Sequence, residues 1–401
     1  WVQNKPPDQL AISLELGELV ADLRLDTASV LAALVYRLVR TERVSKSELR
    51  TRLGSEATDL AFSVAAMATT SLLEMSDSPM LAKEQQSQVE NVKRMLASMI
   101  DDARVAAIKL AERVLALRQA KDYEPQRRER IAQEAGSIFS PLANRLGIWQ
   151  LKWELEDLSL RYLREDIYLG IAKQLSQKRQ QREQQVQAMT ERVVVLLGDN
   201  GINAEVYGRA KNIFSIWLKM QAKSIPIEEV YDVRALRIIV DSLADCYAAL
   251  GVIHTTWQHL PREFDDYIAV PKENGYQSIH TAVTADDGHT LEVQIRTRDM
   301  HEDSELGVCA HWAYKSGRQQ AADEDESFTA KMDWLRQVIE WHDELGGAAN
   351  INALLYQQTS QQRVFIATPK GHVLDLASGA TVLDFAYRVH TDLGERCVGG
   401  V

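Results

Sequence analysis

The cluster Gly198-Asp199-Asn200-Gly201 separates two hydrophobic periodicities, so neither an all-helical nor an all-strand architecture accounts for the whole chain. Ahead of it, apolar residues recur at helical spacing: Val30, Leu31, Leu34, Val35 and Leu38, then Met95, Ile100, Val105, Ile108, Ala111, Val114 and Leu115. From Gly147 a further stripe of Leu151, Leu155, Leu158, Tyr162 and Leu163 stands opposite Glu154, Glu156 and Asp157. Residues 171–197 read as one polar helix. Beyond the cluster, Ile202, Ala204 and Val206 alternate as a strand, Asn212 to Lys223 is helical, and Val233 to Val240 is a strand. Asp241 to Leu260 reads as a helix with Asp241 and Ser242 as candidate caps. Strands Ile279–Thr284 and Leu291–Thr297 flank Asp286-Asp287-Gly288, and this α+β pattern ends near Lys315. A polar loop at Gly317 to Glu326 precedes an amphipathic helix containing Met332, Leu335, Val338, Ile339 and Trp341. From Arg363 a strand–turn–strand–helix pattern begins, with its turn at Pro369-Lys370-Gly371 and its helix over Leu383 to His390.

At 401 residues, and about 150 per domain, two to three domains are expected. A chain that is 45% hydrophobic and 26% charged is ordinary globular material. It holds no apolar run near the ~20 residues of a membrane span and no signal-peptide pattern. No methionine begins it, so a piece of a longer protein is expected. The net charge of −11 argues against a general nucleic-acid coat. Three scattered cysteines, Cys246, Cys309 and Cys397, form no disulfide framework and no CxxC pair, which fits a reducing cytoplasm. All nine histidines lie after residue 253, so the first 253 residues cannot hold a histidine-ligated metal.

No Walker loop and no GxGxxG is present, so any nucleotide is held without the usual glycine cradle. Instead Gly208-Arg209 follows the first strand, and Lys211, Ser215 and Lys219 repeat every four residues. On a helix this spacing puts two ammonium groups and a hydroxyl on one face, suited to a polyphosphate or simply to a solvated basic edge. Asp232, beside Arg234 and Arg237 at the start of the next strand, suits a Mg²⁺ between phosphates, or a cap or ion-pair role. In the hairpin, Leu291, Val293 and Ile295 share one face, which leaves Glu292, Gln294 and Arg296 on the other with His280. That register demands an odd-numbered connection of three or five residues with Gly288 at positive φ. Such a face is either an active site or a solvated surface. Tyr276, next to Gly275, offers a ring that could stack on a base or pack on its neighbours.

These segments, in this order, resemble the long RelA/SpoT homologues, which make the alarmone ppGpp. The resemblance is carried by Tyr207-Gly208-Arg209-Ala210-Lys211, Tyr231-Asp232-Val233-Arg234, Asn274 to Thr281, Glu292 to Thr297, and Ala310-His311-Trp312-Ala313-Tyr314-Lys315. It implies an all-α HD-like domain over 1–165, connecting helices over 166–201, and a nucleotidyltransferase-like α+β synthetase domain over 202–320. A linker and helix over 321–362 and the start of a β-grasp TGS domain over 363–401 would follow. The implied activity transfers the β,γ-pyrophosphoryl group of ATP to the 3′-hydroxyl of GDP or GTP, with Mg²⁺. Arg209 and Arg237 would sandwich adenine, while Lys211, Ser215 and Lys219 hold the phosphates. Asp232 would bind the metal and Tyr276 would stack on guanine, within the stretch that includes Lys272 and Asn274. Glu292 would bind the metal or deprotonate the acceptor hydroxyl, and His280 and Gln294 would position phosphate or ribose. Asp232 and Arg237 are five apart, so a regular strand would turn them to opposite faces unless it bulges or ends between them.

The N-terminal half departs from the family pattern. Where hydrolytic members carry a His-Asp pair, this chain has Tyr36-Arg37; the upstream ligand position falls near Ile12, the later acid is Glu112, and the following acidic pair becomes Arg40-Thr41. A hydrolase-inactive, pseudo-HD domain is therefore expected, kept for packing and regulation. The acidic stretch Glu263-Phe264-Asp265-Asp266 resembles the synthetase-only branch. In this family, ribosome and uncharged tRNA are engaged through C-terminal domains that the chain does not include. The rival readings are a catalytically silent guanine-nucleotide sensor or ribosome-associated scaffold, an active ppGpp hydrolase, and a transferase with another acceptor.

Overall fold

A computed structural model describes residues 7–68, 101–177, 179–209, 211–223, 225, 235–272, 274–286 and 288–310, and, further on, 363–367, 373–377, 381–383 and 386. Asp232, the segment His311–Lys315, the loop 317–326, the helix around 332–341 and the turn 369–371 lie outside the described residues. The chain divides into two compact units, Trp1–Ala348 and Ala349–Val401.

The first unit begins with helices α1 (Pro7–Asp22), α2 (Thr27–Arg40), α3 (Lys46–Ala68), α4 (Ala103–Gln119), α5 (Pro125–Glu134), α6 (Ser140–Arg145) and α7 (Trp149–Leu163). Local chemistry sets their ends. The Asp26 carboxylate accepts from the Ser29 backbone N–H at 2.8 Å and starts α2, and Asp102 does the same for α4 through Arg104. Pro125 occupies the first turn of α5, where its missing N–H costs nothing. A π-helical turn over Ala135–Phe139 joins α5 to α6. Helix α4 is buried nearly all round, from Val105 through Ile108 and Leu110 to Leu117, which marks it as the central helix of this layer.

Residues 171–197, expected as one polar helix, fall instead into α8 (Glu165–Gln177) and α9 (Arg179–Asp199). The α8 part is not polar throughout: Ile171 is buried against Ile216, with Ile167, Leu175, Trp217 and Met220 packed around them. That apolar stripe docks α8 on α10 (Ile213–Lys223). Lys211 precedes α10 rather than lying on it, so only Ser215 and Lys219 of the expected basic face belong to the helix.

The strands are β1 (Ala204–Arg209), β2 (Ala235–Val240), β3 (Gln258–Asp266), β4 (Ile279–Thr284) and β5 (Thr290–Thr297), with α11 (Leu243–Thr256) after β2 and α12 (Arg298–Leu306) after β5. They form a five-stranded sheet in the order β1-β2-β5-β4-β3, in which β2 and β5 run parallel and the other neighbours antiparallel. The helix expected over 241–260 stops at Thr256, and Gln258 to Leu260 open β3 instead. Pro261 and a register shift between His259 and Phe264 break the alternation that would have revealed this edge strand. Ser242, not Asp241, caps α11, its hydroxyl accepting from the Asp245 N–H.

One sheet face is apolar. Leu236, Ile238, Val240, Val283, Leu291, Val293 and Ile295 are buried with Val193 and Leu197 of α9 and Ile253 of α11. Each fully buried side chain of this kind contributes about 1.5–3 kcal/mol. The β4–β5 connection is five residues long, between paired Thr284 and Thr290, and Gly288 has φ +74°. The odd connection and the positive φ agree with the expected register. In the second unit, β6 (Arg363–Ala367) and β7 (Val373–Ala377) pair antiparallel, matching the two expected strands.

Candidate functional site

Strand register alone assembles the site. Cα pairing aligns Tyr207, Arg237, Gln294, His280 and Asp265 in one row across all five strands. A second row places Arg209 beside Ala235, Glu292 and Ala282. Paired residues share a face, so Arg209, Arg237, Glu292, Gln294 and His280 all lie opposite the apolar core. This face is not a solvated surface: Gln294 and Arg296 are each 1% exposed, and Arg237 is 8% exposed.

Glu292 and its neighbours form the centre. Gln294 Nε2 donates to Glu292 Oε1 at 2.7 Å, and His280 Nδ1 stands 4.0 Å from the same oxygen. His280 is held neutral, well below its ordinary pKa, by burial and by the cations Lys272, Arg209, Arg296 and Lys211. Its Nε2 shares a 2.8 Å hydrogen bond with the Tyr276 hydroxyl. Tyr276 packs edge-on against Trp149, with ring centroids 5.6 Å apart, and against Tyr267 and His280. The ring expected to stack on a base is thus packed on its neighbours here. Lys272 sets its ammonium 4.1 Å from the Tyr267 ring centre and 5.5 Å from that of Tyr276. Lost hydration, together with Lys152 and Arg209, lowers its pKa despite the opposing charge of Asp265. Asn274 accepts from the Tyr276 N–H and donates to the Asn144 carbonyl at 3.1 Å, tying this loop to the helical layer.

The two arginines expected to sandwich adenine line one cavity of about 140 Å³, together with Trp149, Trp153, Lys272, Tyr276, His280, Arg296, Ser304 and Glu305. Arg209 lies over the Trp153 ring at 5.2 Å, and Arg237 forms a 2.9 Å ion pair with Glu305. The cavity is below the roughly 300 Å³ at which small-molecule sites begin. On α10, Lys219 lies 3.9 Å from Glu263, and the helix N-terminus is capped from another layer: Asp157 accepts from Phe214 N–H at 2.8 Å and Ile213 N–H at 3.3 Å.

Sequence reasoning missed Trp149, Trp153, Asp157, Ser304 and Glu305 as site residues, and it placed Arg296 on the candidate face without giving it a role. Arg296, buried by the sheet, donates to Ser304 Oγ and pairs with Glu305 at 3.5 Å. Burial and the nearby Arg237 lower its pKa to about 10, against the opposing influence of Tyr276 and Glu305. Its place on the polar hairpin face was the available signal; the others come from distant segments and left none.

The residues expected to mark a degenerate hydrolase site also converge. Ile12, Tyr36, Arg37, Arg40 and Glu112 line a single cavity of about 550 Å³ in the helical layer. Glu112 is paired with Lys109 at 2.8 Å and Arg113 at 3.1 Å. Burial would raise its carboxyl, but Arg113, Lys109 and Arg40 outweigh it and hold the pKa at about 2. Among the described residues no three His, Cys, Asp or Glu side chains are grouped to hold a metal ion.

Comparison with known proteins identifies the class. Residues 208–319 match the model described as the region found in RelA / SpoT proteins, residues 7–149 an HD domain, and residues 364–401 a TGS domain. The chain belongs to the RelA/SpoT family, with an HD domain ahead of the RelA/SpoT region and a TGS segment after it. It is 46% identical to a GTP pyrophosphokinase of Photobacterium angustum over 399 residues, 99% of this chain and 53% of that protein. Against a GTP pyrophosphokinase of Escherichia coli K12 the identity is 45%, with the same coverage. A Synechocystis protein named a probable guanosine-3′,5′-bis(diphosphate) 3′-pyrophosphohydrolase is 39% identical over 97% of this chain and 50% of its own length. The chain spans about half the length of the curated relatives it matches. Among solved structures, small alarmone synthetase 1 of Bacillus subtilis bound to its product pppGpp is 26% identical, covering 44% of this chain and 97% of that one, with a TM-score of 0.29. No helix among the described residues is long and apolar enough to cross a membrane.

Proposed function

We propose that the chain is a cytoplasmic, synthetase-only GTP/GDP pyrophosphokinase that transfers the β,γ-pyrophosphoryl group of ATP to the 3′-hydroxyl of GDP or GTP. The observation that carries this reading is the pair of residue rows on the buried polar sheet face, which brings Arg209, Arg237, Gln294, His280 and Glu292 together from four strands. Such a transfer asks a protein for alignment and charge neutralisation rather than a covalent intermediate. Arg209 and Arg237 supply planar cations for the adenine end of ATP, with Lys211, Ser215 and Lys219 for its phosphates. Neutral His280 leaves Glu292 without an ion pair on that side, so the carboxylate keeps its capacity to accept the acceptor hydroxyl's proton. Tyr276, Lys272 and Asn274 are the proposed guanine-nucleotide contacts.

Glu292 Oε2 takes no hydrogen bond among the described residues, and a hard carboxylate oxygen beside phosphate-facing cations fits Mg²⁺. Glu292, with Asp232 as the second ligand, would hold it; when bound, the ion neutralises phosphate charge. Loss of ppGpp hydrolysis is proposed from the arginines and tyrosine that line the helical-layer cavity. Ribosome and uncharged tRNA are proposed as partners of the longer proteins of this family, and no surface of this chain is assigned to them.

The test is incubation of the chain with labelled ATP, GDP or GTP and Mg²⁺, followed by separate incubation of the purified product with Mn²⁺. The expected result is 3′-pyrophosphorylated nucleotide in the first and no hydrolysis in the second. Nucleotide binding with no transfer would replace this reading with the silent sensor.

A further inference from the structure

The small cavity on the sheet face holds an uneven set of charges. Arg209, Arg237, Lys272 and Arg296 line it, and Glu305 of α12 is its single lining carboxylate among the described residues. The contacts of that carboxylate all fall on one oxygen. Oε1 accepts from Arg237 at 2.9 Å and from Arg296 at 3.5 Å, and His301 Nδ1 stands 3.8 Å from it. No hydrogen bond reaches Oε2 among the described residues. In the same wall the Nε atoms of Arg209, Arg237 and Arg296 are buried without a hydrogen-bond partner. The cavity thus offers one open acceptor among donors that lack acceptors, and buried polar groups are rarely left so.

Rings back both of the arginines assigned to adenine. Arg209 lies 5.2 Å from the Trp153 ring centre, and Arg237 lies 5.8 Å from that of Tyr207. A guanidinium stacks on any aromatic plane, so two stacked arginines hold adenine, guanine and hypoxanthine alike. Choosing among purines needs a contact to the ring edge. There the bases differ: adenine sets a 6-amino donor beside a ring-nitrogen acceptor, whereas guanine and hypoxanthine set a 6-carbonyl acceptor in its place. A carboxylate accepts from the first and repels the second, while a neighbouring guanidinium donates to the ring nitrogen.

We propose that Glu305 selects the purine of the pyrophosphoryl donor: its Oε2 accepts from the 6-amino group of adenine, and the Arg296 guanidinium donates to the adjacent ring nitrogen. This rests on the reading of Arg209 and Arg237 as the adenine contacts, and adds the residue that tells ATP from a 6-oxopurine triphosphate. Glu305 takes no part in the bond changes and acts on which donor is seated. Its ion pair with Arg237 couples two tasks, since the carboxylate that reads the base edge also orients a guanidinium that stacks on the ring.

The test uses the full chain with Mg²⁺ and saturating GDP, which fills the acceptor site. It is titrated calorimetrically with the α,β-methylene analogues of ATP, ITP and purine riboside triphosphate. The methylene replaces the oxygen at which the proposed transfer would cleave, so binding is read without turnover. The expected order of affinity is ATP analogue, purine riboside analogue, ITP analogue, with roughly tenfold or more between first and last. In Glu305→Gln the side-chain amide can donate to a 6-carbonyl, so the ATP and ITP analogues should approach parity. Equal affinity of the unaltered chain for these two analogues would overturn the proposal. So would a Glu305→Gln chain that loses affinity for both by the same factor, because Glu305 would then only hold Arg237. The series on the unaltered chain decides the matter alone if the variant does not fold. The expected order with no transfer from ATP itself would count against the pyrophosphokinase reading and leave the role of Glu305 standing, whereas no binding of any analogue would remove both.

Discussion

Gly307 joins the two layers of the first unit, and replacing it with alanine tests how rigidly they are locked. It ends α12 at φ +56° and ψ −128°, a combination that side chains with a Cβ rarely adopt. A Cβ there would stand 2.2 Å from the Leu146 carbonyl oxygen and 2.4 Å from the Gly147 carbonyl carbon. Both contacts are backbone, so no side chain can swing aside. The Val308 N–H donates to the same Leu146 oxygen at 3.0 Å, and separating the segments would stretch that bond. Backbone strain costs about 1–3 kcal/mol, and the lost hydrogen bond costs about 0.5–1.5 kcal/mol more. Gly307→Ala is expected to lose about 1.5–4.5 kcal/mol in all. Gly288→Ala supplies the control: its φ is +74°, but nothing lies within 4 Å of its added Cβ, so only the conformational cost of about 1–2 kcal/mol applies. Urea unfolding of both variants gives the difference directly. Leu146 and Gly147 lead into Trp149, so Gly307→Ala should also shift the tryptophan wall and raise the KM for ATP, while Gly288→Ala should not. Equal stability of the two variants would refute the reasoning, because the clash would then have been relieved at no cost.

Glu292→Gln keeps the shape of the side chain and removes its charge; kcat for pyrophosphoryl transfer should fall by about 10²–10⁴-fold, and near-normal turnover would remove Glu292 from its proposed role. Trp153→Ala takes away the ring beneath Arg209; steady-state kinetics should show a lower KM for ATP, and an unchanged or higher KM would mean that the tryptophan does not restrict entry. The pH response has a defined sign. Burial, with Arg296, Arg237 and Arg298, holds His301 at about 4, whereas the unfolded chain takes up that proton near 6.5. The stabilisation is therefore full above pH 6.5 and is lost as pH falls towards 4, at most about 3 kcal/mol from this residue. Urea midpoints at pH 7, 6 and 5 should fall in that order, and less steeply in His301→Gln; parallel slopes in the two proteins would count against it.

What the sequence made legible was whatever obeys a short period. The face shared by His280 and Glu292, and with it the five-residue connection and the positive φ of Gly288, follow from alternation in two neighbouring strands. The gathering of Tyr36, Arg37, Arg40 and Glu112 around one cavity was legible through resemblance. Strand β3 was hidden because Pro261 and a register shift erase its alternation, and an exposed edge needs no apolar pattern. The contacts that close the site were hidden for a different reason. Asp157 caps α10 across 57 residues, Asn274 reaches the Asn144 carbonyl across 130, and Arg237 meets Glu305 across 68. None of these distances imposes a period, so none could be read in advance. They are nevertheless what decides whether the sheet face is open. The strand register sets which side chains share the polar face; the long-range contacts of α7 and α12 set what packs around it. Arg209, Arg237, Glu292, Gln294 and His280 lie in the first set and Trp149, Trp153, Asp157 and Glu305 in the second, so substitutions in the second set should change KM more than kcat.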